Sequence, residues 1–555
     1  MSLQPKSLYQ VPEQTAKIAQ SVFPNGNSYM KLYDTFGSLF SDQDFAPLFP
    51  DNGQPAFSPV RLMLILILQF AEGLSDRQAA EAVRARIDWK YLLCLELTDP
   101  GFHYSILSEF RTRLLENEWE QKLFDKLLVC FRETGYLKKR GQQRTDSTVV
   151  LGAVRNLNRL EMVGETLRHA LDSLAVAAPE WTRRNTQPDW ADRYGSRIMN
   201  HRLPTSQEQR DAYAEQIGSD GLSILNAILN SSSSPPVWLR EIPAVRILHT
   251  VWIQSYTWKE DGQLRWRRVD ELPPASVAIY SPFDAQARFS TKRQTRWVGY
   301  KVHLTETCDE QLPRIITTVK TTLATTADGD MTTPIHETLQ ARDLLPADHL
   351  VDTAYIDAEL LVSSQESYGV NLVGPTRIDT SWQARQVESG FAAENFKVDW
   401  EKQQATCPMG KTSQYWQPSL DNRGHRVIHI RFGKADCNTC LSHIQCTRAQ
   451  PPWRSVTVRP QSLQLALQAA REREKTESFK KQYAQRAGIE GTISLGVRSF
   501  DLRRTRYLGL AKTNLQNVLI ACAMNLMRIA RWLQGEDLAQ SRLSAFARLY
   551  QTAVA

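Results

Sequence analysis

Cysteine is scarce: eight stand in 555 residues, too few for a disulfide scaffold. Long hydrophobic runs are missing as well. The longest, Leu62 to Phe70, is interrupted by Gln69 and falls far short of the roughly 18 residues that cross a bilayer, so no membrane span is expected. Met1 to Gln20 holds neither a continuous apolar stretch of signal length nor a small-residue cleavage site, which places the expected protein in the cytoplasm. Neither charge sign dominates: 67 Lys plus Arg against 60 Asp plus Glu leave +7, which permits a polyanionic partner without requiring one. No repeat of fixed period is visible. What is present is ordinary globular material, 42% hydrophobic and 23% charged, which excludes a disordered or fibrous chain. The length implies about three to four folded units.

Local signals divide the chain. Ser58-Pro59 offers a capping hydroxyl and an initiating proline before the apolar run Val60 to Glu72. Gly73 stops that helix and Ser75 caps the next, Asp76 to Leu93, which carries Arg77, Arg84, Arg86 and Lys90. Helices after Ser105 and from Glu118 to Thr134 complete an all-helical unit, 1–138, whose basic helices suit the presentation of one helix to a DNA groove. From Gly141 to Val154 the character turns to strand, and residues 139–154 open a sheet domain. Residues 155–275 read as a largely helical insertion containing a flexible break at Asn230 to Pro236. The sheet domain resumes over 276–378, with strands at Trp297–Thr305, Arg314–Leu323, His349–Tyr355 and Asn371–Pro375 and helices at Thr332–Asp343 and Ala358–Tyr368. That order predicts an α/β fold with a mixed sheet and helices packed on it. A polar, Cys-bearing insertion (379–462), a closing segment of the sheet domain (463–535) and a tail (536–555) follow; the closing segment ends in an apolar helix, Asn514 to Trp532.

Two acids stand alone in strand sequence: Asp146 in Arg144-Thr-Asp-Ser-Thr148, and Asp352 in Leu350-Val-Asp-Thr-Ala-Tyr-Ile-Asp357. A carboxylate there is costly to bury unless it is paired or binds a metal, although each also suits a cap on the turn that follows. Glu490 lies four residues after Arg486, so on a helix both project from one face, a metal-binding carboxylate beside a phosphate-binding guanidinium. Gly488 and Gly491 weaken the helix expected there. Carboxylates on rigid elements are what two Mg²⁺ ions need to clamp the attacking and leaving oxygens of a phosphodiester.

Asp146, Asp352 and Glu490, with Tyr483-x2-Arg486-x3-Glu490, resemble the acidic triad and Tyr/Arg/Glu signature of the IS4-related DDE transposases. Phe289 to His303, Gly491 to Phe500 and the helices from Ser58 to Leu115 resemble the IS1182-type insertion-sequence transposases more narrowly. The signature departs at one place: Val497 stands where a Lys or Arg is usual, and the base is Arg498. The resemblance implies an RNase H-like (retroviral-integrase-like) domain interrupted by the two insertions. It places the first Asp on the first strand, the second after the fourth strand and the Glu on a helix. It implies catalysis and Mg²⁺ (or Mn²⁺) binding by Asp146, Asp352 and Glu490, with Tyr483 and Arg486 on the DNA backbone. The implied activity is cleavage at the terminal inverted repeats of a mobile element and transfer of the 3′-hydroxyl strands to target DNA. Double-stranded DNA is the implied partner, with nucleoid association when bound and a homodimer in the synaptic complex. The alternatives are a catalytically inactive, transposase-derived DNA-binding protein and a metal-dependent DNA nuclease.

Around Glu490 and Asp501 stand six bases, Arg486, Arg498, Arg503, Arg504, Arg506 and Lys512, a patch suited to phosphates. Lys292 to Arg296 is a weaker patch of the same kind. Cys407, Cys437, Cys440 and Cys446, with His443 as a substitute, form a candidate structural Zn²⁺ site in the second insertion. Cys94, Cys130, Cys308 and Cys522 read as core filler, and His303 and His336 as structural histidines. Asp328, Asp330 and Asp357 are the weaker candidates for a triad position.

Overall fold

In the computed structural model the hydroxyl of Ser58 accepts from the backbone N–H of Arg61 (3.3 Å), and the apolar helix starts at Pro59 and runs to Ala71. The structure describes residues 2–5, 9–37, 39–50, 52–229, 236–385, 390–422, 424–536, 546 and 549. The expected break at 230–236, apart from Pro236, and nearly all of the 536–555 tail lie outside the described residues. Ser75 and Gln78 form a reciprocal cap on the next helix, Asp76–Ala85. That helix was expected to continue to Leu93. Instead Arg86 is extended, its guanidinium bridging Glu72 and Asp88, and Ile87–Leu92 is a separate helix. Ser105–Glu116 and Glu120–Glu133 follow, and two further helices, Glu13–Val22 and Ser28–Phe36, lie in the polar lead-in.

The bases of these helices are largely committed internally. Arg111 makes a two-pronged contact with Asp76, Lys90 donates to the carbonyls of Glu96 and Asp99, and Arg84 pairs with Glu81. Much of the basic pattern there serves the fold. The helical region also shares its core with the end of the chain: Leu64, Ile67 and Leu68 meet Ala523, Leu526 and Met527 of the Leu510–Leu533 helix.

The central sheet has six strands: β1 (Gln142–Leu151), β4 (Arg288–Lys292), β5 (Thr295–Thr307), β6 (Ile316–Leu323), β7 (Asp348–Leu350) and β8 (Asn371–Val373). β1 lies between β5, antiparallel, and β7, parallel, and β8 continues parallel beyond β7. β4 and β6 divide the other edge of β5, both antiparallel to it. The order along the sheet is therefore β6-β5-β1-β7-β8, with β4 beside the start of β5. The strand expected from His349 to Tyr355 ends at Leu350, and Thr353–Tyr355 is a 3-10 turn.

The first insertion has its own core, in which Leu167, Ile217, Leu248 and Val251 are fully buried. Its long helices are Arg159–Ala177, Gln207–Leu229 and Pro243–Ser255, and a small hairpin, β2 (Tyr256–Trp258) with β3 (Leu264–Trp266), closes it. Trp252 packs against the middle helix, donating from Nε1 to the carbonyl of Gly218 (2.8 Å). A methyl group on Gly221 would fall 2.1 Å from Trp252 Cζ2. Gly221→Ala is therefore expected to destabilise this insertion by about 1–3 kcal/mol through overpacking. Urea unfolding followed by Trp fluorescence measures it.

The second insertion is built on a three-stranded antiparallel sheet, β11 (Ser413–Leu420), β12 (Arg426–Phe432) and β13 (Ser455–Val458), beside the pair β9 (Lys397–Asp399) and β10 (Gln404–Thr406). Phe396, Ile430, Phe432 and Val456 form its core. The chain then runs through helices Gln461–Glu474 and Glu477–Ala484, a 3-10 turn at Gln485–Ala487, and the helix Gly488–Ser499. The flanking glycines do not prevent this last helix.

Candidate active site

Strand alternation sorts the residues of β1. Thr145 bonds Thr305 and His349 on one face, where Ser147 also reaches Asp328. Arg144, Asp146 and Thr148 take the other face, meeting the Gln485 carbonyl, Arg486 and Arg503 respectively. Asp146 Oδ1 accepts from the backbone N–H of Ser147 (2.7 Å), and Asp352 Oδ1 accepts from that of Thr353 (2.7 Å). Asp352 thus caps the Thr353–Tyr355 turn as its sequence allows, whereas Asp146, in the middle of β1, has no turn to cap. Each keeps Oδ2 for something else.

That something is Arg486. Its Nη2 lies 2.7 Å from Asp146 Oδ2 and 3.9 Å from Asp352 Oδ2, and its Nη1 lies 3.3 Å from Glu490 Oε1. Three acids separated by hundreds of residues converge on one guanidinium. The i, i+4 spacing of Arg486 and Glu490 brings them together as expected, although Arg486 sits in the 3-10 turn that leads into the Glu490 helix. The centre is graded in exposure: the side chains of Arg486 and Asp146 are 12% and 15% exposed, those of Asp352 and Glu490 48% and 68%. Burial pushes the Asp146 carboxyl above its usual value, with Arg486 and the Ser147 N–H pulling the other way. Tyr483 stacks on Phe479 (5.6 Å between centroids) within electrostatic reach of Arg486 and all three acids, and burial raises its hydroxyl.

A buried ionic network fixes the Glu490 helix to the sheet. Glu306 on β5 is fully buried; it accepts from Arg144 Nε (2.8 Å), Arg528 Nη1 (2.9 Å) and Thr492 Oγ1 (2.6 Å). Arg144 also donates to the carbonyl of Gln485, at the turn that carries Arg486. Sequence reading missed this network. Its signal was an arginine on the same strand face as Asp146 and two residues before it, a charge that burial would make untenable without a partner. A Cβ on Gly488 would stand 2.1 Å from Arg144 Nη1, and that guanidinium is pinned. Gly488→Ala is thus expected to shift the turn that carries Arg486 and to cost about 1–3 kcal/mol of stability through overpacking. Chemical denaturation of the variant beside the wild type measures it.

The remaining candidates scatter. Arg503 Nε donates to Thr148 Oγ1 (2.9 Å), one alternation along from Asp146. Arg506 instead docks on the helical region, donating to the Leu74 carbonyl (2.6 Å) over the Phe70 ring. Arg498, Arg504 and Lys512 are exposed; Arg498 Nε donates to the carbonyl of Ser494, one turn back. Val497, at the position of the usual base, packs against the core. His303 and His336 are buried, and burial lowers both to about 4, so they stand neutral as structural residues. Asp328 pairs with Lys301 (2.8 Å), Asp357 caps the Ala358–Tyr368 helix, and Asp330 is exposed.

Cys407, Cys437, Cys440, His443 and Cys446 line one pocket, and the four cysteines form no disulfide. Among the described residues no group of three or more His, Cys, Asp or Glu side chains is arranged to hold a metal ion. The zinc expectation therefore finds no support. Burial raises the Cys437 thiol and pushes that of Cys446 up to about 11, and Cys446 is part of the apolar core. Nor is the carboxylate centre arranged to hold a metal as it stands, because its three acids surround a guanidinium; their hard oxygens would suit Mg²⁺ or Mn²⁺ only with Arg486 elsewhere.

Residues 406–530 match the family described as transposase DDE domain, and residues 18–113 match the family described as transposase domain (DUF772). This pair is typical of IS1182-family transposases. Glu490, Arg486 and Tyr483 lie within the first matched segment; Asp146 and Asp352 lie in neither. No curated protein and no solved structure matches the chain. No helix among the described residues is long and apolar enough to cross a membrane.

Proposed function

We propose that this transposase binds the terminal inverted repeats of its own element, hydrolyses the DNA ends, and transfers the freed 3′-hydroxyls to target DNA. The convergence of Asp146, Asp352 and Glu490 on Arg486 carries this reading. The sheet order β6-β5-β1-β7-β8, antiparallel on one side of β1 and parallel on the other, supports an RNase H-like core. So does the placing of the acids on β1, just after β7, and on a helix beyond the second insertion.

Asp146, Asp352 and Glu490 are the residues that would hold Mg²⁺ or Mn²⁺. When bound, such ions supply Lewis acidity to the nucleophilic oxygen and charge neutralisation to the leaving one. The chain's own contribution is positioning. Asp146, half-enclosed on a central strand, fixes one side of the scissile phosphate's site, and the exposed carboxylates of Asp352 and Glu490 border its open side. Tyr483 and Arg503 flank the centre where the DNA backbone would run, while Arg498, Arg504 and Lys512 add outlying positive charge. A homodimer in the synaptic complex follows from the need to hold two ends. Purified protein with Mg²⁺ is expected to nick a duplex carrying the repeats that flank its coding region, and to join the cut end to a second duplex. Failure to nick that duplex in Mg²⁺ or Mn²⁺ would sink the proposal, and nicking without joining would reduce the protein to a nuclease.

A further inference from the structure

Arg486 is the group that reaches all three carboxylates, and its place is the place a metal would need. This inference rests on the catalytic reading above. We propose that Arg486 is the resident counter-ion of the acid centre in the DNA-free protein, and that divalent cations load fully only when a DNA phosphate draws it away.

The geometry argues for exclusion. With Nη2 2.7 Å from Asp146 and 3.9 Å from Asp352, the guanidinium takes up the inner oxygens. A divalent ion on those same oxygens would face a like charge at contact range. The arrangement also argues for release by side-chain motion. The turn itself is held through the Gln485 carbonyl by Arg144, so the backbone of residue 486 is anchored. The side chain is held only at its tip: Arg486 Nε is buried without a hydrogen-bond partner. A partner that satisfies Nε together with an Nη group has an advantage over the present three acids, which leave Nε unbonded, and two oxygens of one phosphate can accept from Nε and Nη2 at once. Asp352 and Glu490, about half or more exposed, leave a path for the ion from solvent once the guanidinium turns outward. Cutting is thereby confined to protein already engaged with DNA.

Mn²⁺ affinity tests this without any turnover. Free Mn²⁺ is measured by electron paramagnetic resonance with the full-length chain, alone and with a mixed-sequence duplex at low salt, DNA occupancy being followed by anisotropy. The wild type is expected to bind Mn²⁺ at least about tenfold more tightly with DNA bound, since only the fraction with Arg486 displaced is competent. Arg486→Gln is expected to reach the tight value without DNA and to gain nothing further from it. Arg486→Lys, which keeps the charge, is expected to stay weak without DNA and guards against misfolding of the neutral variant. Equal wild-type affinities with and without bound DNA, or a folded Arg486→Gln no tighter than wild type, would overturn the proposal. No Mn²⁺ binding by any form, DNA-bound or free, would remove the catalytic reading itself.

Discussion

Asp352→Asn is expected to lower DNA strand cleavage on the order of a thousandfold while leaving the melting temperature nearly unchanged. The two halves of that expectation have different origins. Asp352 Oδ1 caps the Thr353–Tyr355 turn, and an asparagine oxygen accepts the same backbone N–H. Its Oδ2 stands 3.9 Å from Arg486 with the side chain 48% exposed, so little folded-state energy is lost when its charge goes, within about 0.5 kcal/mol for such a surface change. The reaction needs that charge, and losing one preorganised electrostatic contact commonly costs about 10²–10³-fold in rate. Asp330→Asn serves as the control: Asp330 is exposed outside the carboxylate cluster, and cleavage should be retained in full. Cleavage by Asp352→Asn at the wild-type rate would remove Asp352 from the catalytic centre. The assay is initial-rate nicking in Mg²⁺, with calorimetric melting of the same preparations.

What the sequence could disclose, and what it could not, follows from how local each determinant is. Ser58, Ser75 and Asp357 act on backbone within three residues, so the helices they cap were legible. Asp146 and Asp352 were conspicuous because an acid in an apolar strand requires an explanation. The second insertion read as polar and Cys-bearing, with none of its strands placed. Its three strands pair across distances of up to 30 residues, as Ile428 and Val458 do, and strand pairing leaves little trace in the intervening sequence. The basic residues misled for the opposite reason. Composition cannot tell Arg503, open beside Thr148, from Arg506, which is spent on Leu74 more than 400 residues away. Nor can it tell a groove-facing arginine from Arg111, whose guanidinium is already taken by Asp76. The convergence on Arg486 was half legible: the i, i+4 relation to Glu490 was local, whereas the contact to Asp146 depends on the whole sheet.

Glu306→Gln is expected to cost about 3–5 kcal/mol of stability, the usual result of breaking a buried ion pair from one side. Two guanidiniums, Arg144 at 3% and Arg528 at 12% exposure, would then share a dry site with no counter-charge. The pH dependence has a definite sign. Burial alone would raise the Glu306 carboxyl, but Arg528, Arg144 and the hydrogen bonds outweigh it and hold it below its usual value. A depressed folded value stabilises the protein fully above the unfolded carboxylate range near 4.3 and loses that contribution as the pH falls through the folded value. The wild type should therefore lose part of its stability below about pH 4, and Glu306→Gln should lack that component of the acid limb. Chemical denaturation across pH measures both. The triple change Arg144→Met, Glu306→Leu, Arg528→Met separates stability from function. Apolar replacement of a whole buried ionic cluster is often neutral or stabilising, so folding should recover much of what Glu306→Gln lost. Cleavage should not recover, because no methionine can hold the Gln485 carbonyl that anchors the turn bearing Arg486 and leads into the Glu490 helix. A triple variant that folds and cleaves at the wild-type rate would show that the network holds the protein together without positioning its carboxylates.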